Sequence, residues 1–204
     1  MFDYENKFLS KGYSKIAGVD EAGRGPLAGP VVVACVIMPL QKQDLIDGVN
    51  DSKKLSPKKR DMLYDQIIQK AVCYSVSIID HNTIDKINIL EATKQGMCNC
   101  INNMKITPDV ALIDAVKELD VNVPTLPIIH GDALSYNIAC ASIIAKVTRD
   151  RLMLEYDKVY PQYNFKKHKG YGTAEHIKLL KQYGKCPIHR NTFIKHFVGD
   201  NNEQ

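Results

Sequence analysis

The sequence predicts an α/β fold with one mixed sheet, antiparallel at its start and parallel afterwards, flanked by helices. Two observations predict it: strand-like segments come first, and helices and short apolar strands then alternate. With 204 residues, 45% hydrophobic and 25% charged, the chain can fill one core. We expect a single domain over 1–204, with a basic helical subdomain at about 160–196, a mobile tail at 197–204 and a monomeric state.

The first elements form the antiparallel part. Residues 16–20 and 30–38 are rich in apolar and β-branched side chains, and a glycine-rich turn between them predicts a hairpin. Ser56 and Pro57 supply an N-cap and first helical residue, so a helix should run to about residue 69. Residues 71–79 alternate as a third strand, with the larger apolar side chains at Val72, Tyr74 and Ile78.

Helices and strands alternate after residue 80. Residues 88–104 have helical periodicity, whereas 110–114 and 126–129 are short apolar runs typical of buried strands. A long helix is predicted over 134–160, ending at Pro161. Thr173 caps a further helix that runs to Tyr183 and ends at Gly184.

Composition excludes several classes of protein. No apolar run approaches the ~20 residues of a membrane helix, and the N-terminus lacks the pattern of a signal peptide, so we expect a cytoplasmic protein without a membrane partner. The six cysteines form no CxxC pair, which argues against a disulfide framework. Buried reduced thiols are the simple interpretation, and metal binding is the alternative.

Basic residues cluster in the last part of the chain. Nine Lys or Arg residues lie between positions 158 and 196, against the single acid Glu175, although the net charge is only +4. A second cluster includes Lys53 and Lys54. Such clusters are often only solvated faces, but beside a carboxylate site they suggest contact with a phosphate backbone.

Four acidic residues are predicted to converge: Asp20 at the end of the first strand, Glu21 beside it, Asp114 at the end of the fourth, and Asp132 after the last. A single such acid is usually a helix cap or turn former. Four together would repel, and a divalent cation such as Mg²⁺ relieves that repulsion. Two ions bridged by carboxylates can support an in-line phosphoryl displacement.

The glycine turn beside Asp20 admits two interpretations. Residues 23–28 formally fit a dinucleotide-binding fingerprint, but that motif needs a helix next, and a β-branched strand follows instead. Gly23 and Gly25 can instead expose backbone amides to a ligand, with Arg24 available for phosphate. Glu21 can join Asp20 only if the strand already turns there, because successive strand residues point to opposite faces.

Four segments resemble the conserved blocks of the ribonuclease HII family: residues 19–31 (VDEAGRGPLAGPV), 51–55 (DSKKL), 141–150 (ASIIAKVTRD) and 168–173 (HKGYGT). Their order matches the family, and the resemblance extends over about 16–193. It implies a ribonuclease H-like fold and an endonuclease that cuts at ribonucleotides in duplex DNA or RNA-DNA hybrids. It also implies Mg²⁺ or Mn²⁺ as cofactor, in a two-ion site.

The resemblance also implies roles for single residues. Asp20, Glu21, Asp114 and Asp132 match the family's catalytic, metal-binding acids. The turn Gly23, Arg24 and Gly25 matches the element that reads the ribose 2'-hydroxyl, which distinguishes RNA from DNA. Tyr171 matches a tyrosine that stacks on the sugar beside the cut; ordinary core packing is the alternative.

Other substrate contacts are less specific. Lys53, Lys54, Ser142 and Lys146 lie in matching blocks, and we expect the lysines to contact phosphate. Ser142, Lys146 and Arg149 share a helix face, which could meet DNA or could be structural, with Arg149 or Asp150 in a buried ion pair.

Three departures from the family pattern occur. Ala115 stands where glycine is expected, His130 stands where lysine is expected and would reduce the local positive charge, and residues 189–193 match their block loosely. The leading hypothesis is a cut on the 5' side of a ribonucleotide that leaves 3'-hydroxyl and 5'-phosphate ends. The alternatives are a non-catalytic nucleic-acid-binding module and a DNA nuclease of ribonuclease H-like fold.

Overall fold

The computed structural model describes residues 1–198 and contains one five-stranded sheet. The strands are β1 (Ile16–Ala22), β2 (Val31–Ile37), β3 (Cys73–Ile79), β4 (Val110–Asp114) and β5 (Thr125–Ile128). Their order across the sheet is β3-β2-β1-β4-β5. The β1–β2 and β2–β3 pairs are antiparallel, whereas β1–β4 and β4–β5 are parallel. The predicted mixed sheet is therefore confirmed.

Eight α-helices accompany the sheet within residues 1–198. They are α1 (Asp3–Leu9), α2 (Pro57–Lys70), α3 (His81–Asn102), α4 (Gly131–Leu134), α5 (Tyr136–Val159), α6 (Phe165–His168), α7 (Ala174–Tyr183) and α8 (Asn191–Ile194). Side chains of α2 and α5 pack with Ala34 and Val36 on one face of the sheet. Side chains of α3 pack with Val33 and Cys35 on the other. None of these helices is long and apolar enough to span a bilayer.

The predicted caps explain where several helices begin and end. Ser56 Oγ accepts from Lys59 N at 3.3 Å at the start of α2, and Thr173 Oγ1 accepts from His176 N at 3.2 Å at the start of α7. Gly184 follows α7 with φ +75°, a conformation that glycine adopts readily. Pro161 follows the end of α5, as predicted.

Several elements differ from expectation. Helix α1 was not predicted, and α3 begins seven residues before position 88. Asn88 has φ +67° and caps the second part of α3 by accepting from Leu90 N at 2.9 Å. The long helix begins at Tyr136, because α4 is a separate turn. Tyr74 and Ile78 of β3 are 42% and 51% exposed, since β3 is an edge strand that the helices cover only in part.

The basic C-terminal part packs against the β1–β2 loop. Leu27 N donates to Gly170 O at 2.8 Å, and Gly29 N donates to Ile188 O at 2.9 Å. Phe197 N, in the predicted tail, donates to Ile194 O at 2.8 Å; the rest of that tail, 199–204, lies outside the described residues. All six cysteines are free thiols, five of them buried.

Candidate active site

Three of the four predicted acids converge at the carboxyl ends of β1 and β4. Each of Asp20, Asp114 and Asp132 places a carboxylate oxygen within 4.8 Å of the other two, and this is the only such acidic, His or Cys group among residues 1–198. Strand alternation puts Asp20 and Asp114 on the α5 face of the sheet, and α4 brings in Asp132. Gly131 N holds Asp114 Oδ1 at 2.8 Å.

Glu21 lies beside this group rather than in it. It remains within β1, opposite Val33, so its side chain leaves the strand on the other face from Asp20. Its Oε1 accepts from Arg24 Nη1 at 3.4 Å, and its buried Oε2 has no hydrogen-bond partner among the described residues. The strand has not turned at Glu21, so its side chain does not lie on the same face of the sheet as Asp20.

The acids carry strong mutual repulsion. Burial raises the pKa of Asp20 well above its usual range, and the negative charges of Glu21 and Asp114 add to this. Burial also raises the pKa of Asp114, with a further contribution from the charge of Asp132. For Glu21 burial raises the pKa, partly opposed by Arg24 and reinforced by Asp114, so its charge acts on the same site. The site favours added positive charge.

Lys53 provides part of that charge. Its Nζ lies 3.6 Å from Asp132 Oδ2 although the side chain is 79% exposed. Partial burial opposes the charged form, but the charges of Asp132 and Asp20 outweigh it and raise the pKa of Lys53. Ser142, buried on α5, donates to Ser52 Oγ at 2.8 Å and thereby joins this helix to the turn that carries Lys53. The Lys54 side chain is exposed to solvent.

The donor set fits a hard divalent cation. Carboxylate oxygens are the ligands that Mg²⁺ and Mn²⁺ accept, and three of them converge on one point in a mostly buried site. Placing a divalent ion there relieves the repulsion that raises the pKa of Asp20 and Asp114. Glu21 Oε2 is a buried carboxylate oxygen without a hydrogen-bond partner among the described residues, and the charge of Glu21 acts on Asp20.

The glycine turn and Tyr171 are both exposed, and a backbone hydrogen bond joins the segments that carry them. Gly25 is open, since a Cβ added there would meet no atom within 4 Å, and the Arg24 side chain is 43% exposed. Tyr171 is 41% exposed, so core packing does not account for it. Its ring lies 5.7 Å from Lys146 Nζ, and Gly170 beside it is hydrogen-bonded to the β1–β2 loop.

Ser142, Lys146 and Arg149, on the shared face of α5, lie in different surroundings. Lys146 forms a partly exposed ion pair with Asp150 at 2.8 Å. Arg149 is fully buried and donates to main-chain carbonyls instead. Of the two residues considered for a buried ion pair, Asp150 forms one, the part-buried pair with Lys146, and Arg149 forms none among the described residues. Ser142 is buried beside Asp20, and Lys146 is partly exposed next to the Tyr171 ring. Arg149 binds carbonyls of the loop between β1 and β2.

The comparisons with known proteins agree with this arrangement. The family model described as ribonuclease HII matches residues 17–196. The chain belongs to the ribonuclease HII family. Membership makes it a ribonuclease H type 2 hydrolase, an endonuclease that depends on divalent metal, and this excludes the non-catalytic binding module.

Individual relatives support the same assignment. Ribonuclease HII of Enterococcus faecalis is 56% identical over 193 residues, covering 95% of this chain and 74% of that protein. Ribonuclease HII of Caldicellulosiruptor saccharolyticus is 51% identical over 197 residues, covering 97% and 95%. The crystal structure of ribonuclease H2 from Pyrococcus horikoshii OT3 superposes with a TM-score of 0.75 at 29% identity, covering 88% of this chain and 93% of that one.

Two departures from the ribonuclease HII pattern, Ala115 and His130, lie at left-handed backbone positions. Ala115, directly after Asp114, has φ +54°, a conformation that favours the glycine expected there. His130 has φ +57° and precedes α4, which carries Asp132. Left-handed conformations cost non-glycine residues about 1–2 kcal/mol, so both positions hold strain next to the acids.

Three buried histidines in the C-terminal part form a cluster that was not predicted from the sequence. A carbonyl oxygen only accepts, so His176 Nδ1 carries the ring hydrogen and donates to Tyr171 O at 3.0 Å. His176 Nε2 is then the acceptor for His189 Nε2 at 3.0 Å. His189 Nδ1 then accepts from Cys186 N at 2.9 Å. His168 stacks on His176 and accepts from Gly170 N at 3.2 Å. These hydrogen bonds require neutral imidazole rings, and they support the segment that carries Tyr171.

The histidine cluster predicts that the rings of His176 and His189 resist protonation. Burial lowers the pKa of His176 and His189 to about 4, from an ordinary 6.5. The stability that the neutral rings contribute is therefore present above pH 6.5 and is lost as the pH falls towards 4. In NMR titrations we expect the ring signals of both to stay those of neutral imidazole down to pH 5. A midpoint near pH 6.5 for either ring would contradict the network.

Proposed function

We propose that the chain hydrolyses the phosphodiester on the 5' side of a ribonucleotide, in RNA-DNA hybrids and at single ribonucleotides in duplex DNA, leaving 3'-hydroxyl and 5'-phosphate ends. The observation that carries this proposal is the convergence of Asp20, Asp114 and Asp132 at the end of the strand that leads into the glycine turn. Acids suited to phosphoryl chemistry thus adjoin backbone amides suited to a hydroxyl.

The four acids are the proposed metal ligands. Asp20, Asp114 and Asp132 would hold divalent ions, Mg²⁺ or Mn²⁺, with Glu21 completing a two-ion site from its buried position beside them. Such ions, when bound, activate a water and stabilise the leaving 3'-oxygen. The protein's own contribution is to keep these carboxylates converged, through the Gly131 amide on Asp114 and the packing of α5 on Asp20.

Residues around the acids would bind and orient the substrate. Lys53, exposed and directed at Asp132, would contact the backbone phosphate next to the cut, with Lys54 beside it. The amides of the 23–25 turn would receive the 2'-hydroxyl, and the exposed Tyr171 ring would pack on the sugar. Ser142 and Lys146 would support this surface from α5. We also propose that the enzyme acts as a monomer.

A panel of matched duplexes tests the substrate. We expect nicking of an RNA-DNA hybrid and of a DNA duplex with one ribonucleotide, no cutting of the same all-DNA duplex, and no cutting in EDTA. Separate assays with Mg²⁺ and Mn²⁺ identify the preferred ion. Cutting of all-DNA duplex at a comparable rate would favour the DNA nuclease instead.

A further inference from the structure

Two fully buried arginines hold the loop between β1 and β2. Arg190 donates through Nε to Gly29 O at 2.9 Å, through Nη1 to Arg24 O at 2.8 Å and through Nη2 to Gly23 O at 2.6 Å. Arg149 donates to other carbonyls of the same loop, including Pro30 O at 2.9 Å. Neither guanidinium forms an ion pair with a carboxylate within residues 1–198.

This arrangement is costly for the fold. Burying a charge without an opposite charge disfavours the ionised form, and burial lowers the pKa of Arg190 to about 9 and that of Arg149 to about 10. Every nitrogen of Arg190 nevertheless has a carbonyl partner, and its guanidinium lies 5.1 Å from the centre of the Phe193 ring. The hydrogen bonds of Arg190 thus fix the orientation of peptide groups in the loop.

The orientation of the peptide groups follows from these contacts. In a trans peptide the C=O and the N–H point in opposite directions, and no peptide bond among the described residues is cis. Gly23 O belongs to the same peptide group as Arg24 N, and Arg24 O to the same group as Gly25 N. Because Arg190 binds both carbonyl oxygens, the two N–H groups point away from it, on a turn that is open at Gly25.

We propose that Arg190 is a positioning residue for ribose selection: by holding Gly23 O and Arg24 O, it aims the amides of Arg24 and Gly25 at the 2'-hydroxyl. This inference rests on the proposed function, in which the 23–25 turn reads the ribose. Arg190 does not touch the substrate in this account. It fixes two hydrogen-bond donors before binding, so that the protein does not have to order them when the substrate arrives.

The substitution Arg190→Lys tests this role. Lysine keeps the positive charge but lacks the planar fork that reaches three carbonyls. Binding is measured by fluorescence anisotropy in EDTA, for a DNA duplex with one ribonucleotide and for the same all-DNA duplex. We expect the preference for the ribonucleotide duplex to fall by about tenfold, equivalent to one well-aligned hydrogen bond. Affinity for the all-DNA duplex should stay within about twofold, because the phosphate contacts are unchanged.

Two further variants separate positioning from general destabilisation. Leu63→Ala in α2 opens a core cavity away from the loop and destabilises the fold, yet it should leave the preference at the wild-type ratio. Phe193→Leu loosens the packing under Arg190 while keeping the guanidinium, and it should give a smaller reduction than Arg190→Lys. It also serves as the test if Arg190→Lys does not fold.

The outcomes are distinguishable. A folded Arg190→Lys protein with the wild-type preference, or an unchanged preference in Phe193→Leu where the lysine variant does not fold, would overturn the positioning role and leave the proposed function intact. A wild-type protein without preference for the ribonucleotide duplex would contradict the proposed function itself, and the inference would fall with it.

Discussion

Asp114→Asn is expected to reduce the single-turnover nicking rate by on the order of 10³-fold or more, because it removes one of three converging charges that would hold the metal. Asparagine keeps the acceptor for Gly131 N, so the local structure should persist. Because the charge of Asp114 raises the pKa of Asp20, its removal should leave the free energy of unfolding equal or higher. Nicking assays and urea unfolding measure the two effects.

Asp120→Asn is the matched control for this substitution. Asp120 is an exposed acid outside the converging group, so its neutralisation should leave nicking at the wild-type rate. An Asp114→Asn enzyme with wild-type nicking would show that the acid group is not the catalytic centre. A reduced rate accompanied by marked destabilisation would indicate that Asp114 acts through the fold.

Gly18→Ala is expected to have the largest effect on stability, lowering the free energy of unfolding by about 3 kcal/mol or more. A Cβ at Gly18 would lie 2.1 Å from the main-chain carbon of Asn137 and 2.3 Å from Ile138 N. These atoms belong to the backbone at the start of α5, so neither can move without displacing the helix from β1. Urea unfolding measures the loss.

Gly25→Ala provides the comparison for stability. A Cβ at Gly25 would meet no atom within 4 Å, so its free energy of unfolding should stay within about 0.5 kcal/mol of wild type. If Gly18→Ala were as stable as Gly25→Ala, the close packing of α5 on β1 would be wrong. The placement of Asp20 against Ser142 depends on the same contact between strand and helix.

Much of the fold could be predicted from the sequence because its signals are local. Caps at Ser56 and Thr173, the stop at Gly184 and the apolar runs of β1, β2 and β4 each act within a few residues. The elements that were missed depend on distant partners. In α1, for example, Glu5 is fully buried and accepts from Ser135 Oγ at 2.6 Å, a contact between residues far apart in sequence.

The positions of the acids could be predicted from the sequence, whereas the roles of Arg190 and the buried histidines could not. Asp20 and Asp114 lie near the carboxyl ends of two neighbouring strands and Asp132 follows a third, so topology alone predicted that they converge. The roles of Arg190 and the buried histidines could not be predicted, because guanidinium and imidazole groups usually suggest substrate or catalysis. Only the structure shows that they bind main-chain atoms of the turn and of Tyr171.

In the proposed function, one chain combines a metal-binding acid group with a turn that selects ribose. Mapping the nick in a DNA duplex that contains one ribonucleotide, at nucleotide resolution and with end-group analysis, tests this combination. We expect a single nick on the 5' side of the ribonucleotide, with 3'-hydroxyl and 5'-phosphate ends, and only with Mg²⁺ or Mn²⁺ present. A nick on the 3' side, nicks spread over the DNA, or cutting in EDTA would show that the combination is wrong.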